Sequence, residues 1–84
     1  MTLTLFITDE CQACARVKKQ VAEIAKKNKN LYLQVENIKD YPKNNLLIVP
    51  ALYIEDELYA YGDINENRLM KRIKIKENGL CKNN

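Results

Sequence analysis

Two cysteines three residues apart, in the stretch DECQACARVKK at positions 9–19, carry the most reactive side chains of this chain. Three chemistries suit such a pair: a redox couple, part of a metal clip, or two thiols with no joint task. The sequence has no histidine, the commonest general base and metal ligand. Its chemistry must therefore run through thiols, carboxylates or amines. A structural zinc site needs four ligands. The only further cysteine, Cys81, stands far along the chain in the polar stretch ENGLCKNN, where an incidental exposed thiol is the plainer reading.

Placement separates the two cysteines. Residues before the pair are apolar and extended in pattern, and those after it are helical in pattern, so Cys11 stands where a helix begins. Its sulfur would lie at the positive end of the helix dipole, beside N–H groups that stabilise a thiolate. Cys14 falls one turn further, on the apolar stripe, where it would be shielded yet able to attack a mixed disulfide held on Cys11. Cys11 is thus the candidate nucleophile and Cys14 the candidate resolving thiol. Gln12 and Ala13 lie between them. Asp9 and Glu10 place negative charge against the Cys11 thiolate, and Arg16 and Lys18 offset it.

The flanking elements must hold this arrangement. TLTLFI at 2–7 alternates and then turns continuously apolar, a strand that ends buried. Cys14, Val17, Val21, Ile24 and Ala25 mark one face of an amphipathic helix ending near residues 28–30. Leu31, Leu33 and Val35 alternate with Tyr32, Gln34 and Glu36 as a second strand, parallel to the first through a right-handed crossover. Asp40 and Pro42 resemble the start of a short helix. Strands follow at about 51–54 and 58–61, around an acidic turn at Glu55, Asp56 and Glu57 that lacks the usual glycine. Asp63 and Glu66 read as a capping box for a last helix that turns Ile64, Leu69, Met70 and Ile73 to the sheet. The order βαβαββα implies an α/β fold with a mixed four-stranded sheet and helices on both faces.

At 84 residues, the chain has room for one small domain. Residues 1–76 are expected to form it, with 77–84 as a flexible tail. The first residues lack the basic start and cleavage site of an export signal, and no apolar run is long enough for a membrane span. A cytoplasmic monomer with no membrane partner is expected. The net charge of +3 is mild and the lysines are spread among acids, which suits a solvated surface rather than a nucleic-acid site.

Strand, Cys-x-x-Cys and helix in TLFITDECQACARVKK, then Ile48-Val49-Pro50 opening a strand, then YAYGD before the last helix: this succession resembles the thioredoxin-fold superfamily. Its small glutaredoxin-like and thioredoxin-like members are the most similar in length. The resemblance implies that the bond before Pro50 is cis and near the cysteines, and that the Val49 backbone pairs with an extended substrate segment. An ordinary strand-opening proline is the plain alternative. Glutaredoxins carry a basic residue before the first cysteine, Pro-Tyr between the pair, and two glycines ahead of an acid that holds glutathione. Here only Asp63 matches, as a candidate glutathione contact, and its capping role explains it equally. Thioredoxins carry a tryptophan before the pair and a buried acid where Leu5 stands; both are missing.

The expectation is a dithiol oxidoreductase that reduces disulfide-containing protein substrates through a Cys11/Cys14 cycle. It requires no cofactor and is recycled by a thioredoxin-type reductase or by glutathione. The alternative is a thioredoxin-fold redox-sensing, metal-binding or partner-binding module using Tyr53, Tyr59 and Tyr61, tyrosines that packing on the sheet also explains.

Overall fold

A computed structural model describes residues 1–40 and 48–78. Strand β1 (Thr2–Ile7) leads through a short loop to helix α1 (Gln12–Lys27), which returns the chain to β2 (Tyr32–Asn37) and a single 3-10 turn at Ile38–Asp40. Strands β3 (Ala51–Ile54) and β4 (Glu57–Tyr61) form a hairpin, and helix α2 (Glu66–Asn78) follows. β1 and β3 have the expected bounds, and β2 and β4 differ from expectation by about one residue. At the last helix the difference is larger: Glu77 and Asn78, expected in the tail, are helical. The helix expected from Asp40 and Pro42, and Cys81, lie outside the described residues beyond Asp40.

The strands form one sheet in the order β2-β1-β3-β4. β1 is parallel to β2, as a helical crossover demands, and antiparallel to β3, which is antiparallel to β4. The sheet is therefore mixed. Leu3 lies opposite Ile54 and Leu5 opposite Leu52, which puts all four side chains on one face. Val17, Val21 and Ile24 of α1 and Leu69 and Ile73 of α2 join them in a single buried cluster. Both described helices thus share this face. On the other face, Phe6 and Tyr53 meet edge to face with ring centroids 5.4 Å apart.

Helix α1 ends where Asn28 turns its side-chain amide back to the Ile24 carbonyl, at 2.7 Å, with Lys26 and Lys27 in the last turn favoured by the helix dipole. The glycine-free β3–β4 turn is made by Glu55, whose φ of 55° is left-handed. That conformation costs a non-glycine residue about 1 kcal/mol. Glu55 offsets it with two bonds to β1: its N–H donates to the Thr2 carbonyl and its carboxylate accepts the Thr2 N–H.

Two sequence expectations are corrected here. Alternation along β4 would set Tyr59 and Tyr61 on one face with Tyr53. The register instead shifts between Leu52↔Ala60 and Tyr53↔Leu58, a bulge that leaves Tyr59 unopposed and turns it toward α2. The capping box is also displaced. Helix α2 starts at Glu66, and the cap is Asn65, whose side-chain oxygen accepts the Arg68 N–H at 3.0 Å. Asp63 is drawn away to α1, Ile64 turns into the core, and Glu66 pairs with Lys27 rather than with the cap. Among the described residues, no helix is long and apolar enough to cross a membrane.

Leu5 is fully buried at the centre of the sheet, so Leu5→Ala should destabilise the chain by about 2–5 kcal/mol in urea unfolding. A loss below about 1 kcal/mol would mean that this site is not the core. Replacing the cap, Asn65→Ala, should cost about 1 kcal/mol. Asp63→Ala removes only an exposed pair and should cost about half of that or less; the reverse ranking would restore Asp63 as the cap.

Candidate functional site

Sheet register gathers one end of the molecule. Ala51 at the start of β3 lies opposite Phe6 near the end of β1 and opposite Tyr61 at the end of β4. The loop Thr8–Glu10, the Val49–Pro50 peptide and Gly62–Asp63 therefore meet at the edge from which α1 departs. The Val49–Pro50 bond is cis and Pro50 is buried. The Gly62 N–H donates to the Pro50 carbonyl at 2.9 Å. Gly62 has φ of 73°, a left-handed backbone that only glycine adopts freely, so this residue closes the junction between β4 and α2.

Cys11 caps α1, with an extended backbone and a sulfur that accepts the Cys14 N–H at 3.0 Å. Its carbonyl accepts the first helical bond, from Ala15. The sulfur is therefore held against the positive end of the helix dipole, and the first turn contains no acid. Cys14 is 2% exposed, whereas Cys11 is half-buried. The two are joined as a disulfide, with Cα atoms 5.1 Å apart. Gln12 is exposed and Ala13 half-buried between them.

The two acids before the pair differ in state. Asp9 accepts hydrogen bonds from Lys39 and from the Asn37 amide. These bonds, and then the Lys39 charge, hold its carboxyl below the usual aspartate range; Asp9 in turn holds the Lys39 ammonium proton more firmly than usual. Much of the negative charge that the sequence sets against Cys11 is thus matched. Glu10 is exposed and takes φ of 54° as the chain enters the cap.

Arg16 is engaged by Asp63. Its Nε donates to Asp63 Oδ1 at 2.8 Å, and that bond holds the Asp63 carboxyl below its usual range, against a smaller opposing effect of desolvation. Gln20, one turn along the same helix face, donates to Asp63 at 3.5 Å and accepts the Ile64 N–H at 3.0 Å. Asp63 therefore clamps α1 to the entrance of α2. Gln20, Asn37 and Lys39 are the residues that sequence reasoning missed. The signal for Gln20 was its spacing of four from Arg16; for Asn37 and Lys39 no local signal exists, because their partner lies in another element. Among the described residues, no group of three or more cysteine and acidic side chains is gathered as a metal site.

A family model described as the thioredoxin domain matches residues 1–75. Among solved structures, thioredoxin 1 from the thermophilic eubacterium Thermosipho africanus is similar with a TM-score of 0.67. It is 22% identical, over 92% of this chain and 99% of that one, a likeness of fold. No curated protein sequence matches the chain.

The depressed Asp9 and Asp63 carboxyls make a pH prediction. A group whose folded pKa is lowered adds stability above its unfolded pKa and loses it as pH falls through the folded value. Urea unfolding should therefore be nearly constant from about pH 5 to about pH 8 and weaken below about pH 4. Lys39→Met should move the Asp9 carboxyl titration, followed by NMR, up toward the ordinary range and leave Asp63 in place. An unmoved Asp9 would deny the Lys39 contact.

Proposed function

This chain belongs to the thioredoxin-domain family, and we propose that within it the chain is a dithiol oxidoreductase reducing disulfides in protein substrates. The fold with its joined cysteine pair supports thiol–disulfide chemistry in general. The observation that carries the finer reading is the contrast between the two sulfurs. Cys11 is partly open and receives a backbone N–H, while Cys14 is buried one turn below it. A donor aimed at Cys11 favours its thiolate, the attacking form.

In the reducing direction, the Cys11 thiolate attacks one sulfur of the substrate disulfide. That S–S bond breaks, a Cys11–substrate disulfide forms, and the first substrate sulfur leaves as a thiolate. Cys14, as its thiolate, then attacks the Cys11 sulfur and expels the second substrate thiolate. Two electrons pass to the substrate, and the Cys11–Cys14 disulfide remains. Two electrons from a thioredoxin-type reductase or from two glutathione thiols restore the dithiol. The cycle requires no bound cofactor, and cytoplasmic redox poise favours this direction.

Val49 and Pro50, at the same sheet end, are proposed to present backbone to an extended segment around the substrate disulfide. Asp63 is proposed as a positioning residue rather than a glutathione contact, since Arg16 and Gln20 already engage its carboxylate. Glu10, free of the Lys39 contact that matches Asp9, is the charge that would disfavour an anionic tripeptide next to Cys11. Protein disulfides are therefore placed ahead of glutathione as substrates.

The test is a trapping experiment with a disulfide-containing protein such as insulin. Cys14→Ser should accumulate a covalent adduct through Cys11, visible by non-reducing electrophoresis and mass spectrometry, and Cys11→Ser should form none. Turnover by the wild type without an adduct in Cys14→Ser would overturn the assignment of roles. Wild type inactive with both a thioredoxin-type reductase and glutathione would overturn the reductase reading itself.

A further inference from the structure

Away from the cysteines, β4 and α2 border an open groove of about 450 Å³, lined by Tyr59, Ala60, Arg68, Lys71, Arg72 and Ile75. The bulge in β4 brings Tyr59 and Ala60 to this side together, where regular alternation would have admitted only one of them. Helix periodicity builds the opposite wall, since residues 68, 71, 72 and 75 recur at spacings of three and four. The Arg72 guanidinium lies over the Tyr59 ring, 5.7 Å from its centroid. The groove continues past Glu57 and Lys76.

Its charge is one-sided. None of these six lining residues is acidic, and Arg68, Lys71 and Arg72 form no ion pair among the described residues, though the Arg72 charge also acts on Glu57 at the continuation. The acids closest along the same elements are already matched, Glu57 with Lys76 and Glu66 with Lys27. The other half of the lining is apolar. Ile75 is 42% exposed there.

We propose that this groove docks an acidic segment of a partner protein, with an apolar side chain seated between Ala60 and Ile75 and carboxylates meeting Arg68, Lys71 and Arg72. Complementary charge of this kind steers encounter and fixes register, while the apolar seat contributes contact area. The surface differs from a single-strand nucleic-acid site, which stacks bases on open aromatic faces; the one aromatic ring here is covered by Arg72. A second copy of the chain is a poorer occupant. Two of the three acids in its own acidic turn are committed, Glu55 to Thr2 and Glu57 to Lys76. None of the lining residues belongs to the cysteine end, so the docking surface stands independently of the redox reading.

The test is an NMR titration of the isotope-labelled full chain with a short capped peptide of alternating glutamate and leucine. Saturable amide shifts should centre on Tyr59, Ala60, Lys71 and Ile75. Affinity should fall about tenfold in Arg68→Glu and in Lys71→Glu, and also as salt rises from about 20 mM to about 200 mM. Ile75→Ser should weaken binding without changing charge, and circular dichroism should show each variant folded. Disulfide reduction of the model substrate should be unchanged in Arg68→Glu, which separates this surface from the thiol chemistry. Any of four results would overturn the proposal: equal binding of a glutamine-for-glutamate peptide, shifts centred on Lys18 and Lys19 of α1, tighter binding of an oligothymidylate at the groove, or self-association abolished by Arg68→Glu.

Discussion

Packing of α1 against the two central strands is the constraint on which the rest depends. Leu3 and Leu5 of β1, paired with Ile54 and Leu52 of β3, present an apolar floor, and Val17, Val21 and Ile24 fill it from above. Once that stripe is seated, the helix axis and rotation are set, and so is the start of the helix. Cys14 lies on the same stripe, one turn before Val17, and is itself buried. Cys11, three residues earlier, is left at the rim with the free N–H groups of the first turn. The difference between an open, stabilised sulfur and a shielded one is a by-product of burying a helix face.

Charge then adjusts what packing has placed. The cysteine end carries acids on both sides, yet each of Asp9 and Asp63 is met by a cation from a different element, Lys39 after β2 and Arg16 on α1. These pairs are exposed and individually contribute little to stability. Their effect is local. Asp9 is bound by Asn37 of β2 and by Lys39, and Asp63, just before α2, is bound by Arg16 and Gln20 of α1. Among the described residues, Glu10 is the acid beside Cys11 that forms no ion pair.

The edges of the sheet show a second consequence of small backbone departures. A single extra residue in β4 moves Tyr59 from the Tyr53 face to the α2 face, and the cation of Arg72 settles over its ring. The same bulge interrupts the regular ladder of an edge strand, which discourages strand-to-strand association while opening a groove of mixed basic and apolar character.

Much of this fold was legible in the sequence because its strongest signals are local periodicities: Leu3 and Leu5 at spacing two, and Cys14, Val17, Val21 and Ile24 at spacing three or four. Together with the placement of Cys11 at the change of period, they define a strand, a helix and a thiol at the helix start. Pro50 ahead of β3 was equally visible. What the sequence could not determine depends on partners distant along the chain. The capping pattern at Asp63 and Glu66 satisfies every local rule, but Arg16 and Gln20 take the aspartate and Lys27 takes the glutamate, so Asn65 caps instead. Tyr59 obeys alternation until one unpaired residue turns it over. Asp9 reads as an opposing charge until Lys39 reaches it. Local sequence determines what each segment can form; which side chain meets which charge is decided only when separate elements pack, because those contacts depend on three-dimensional distance rather than on spacing along the chain.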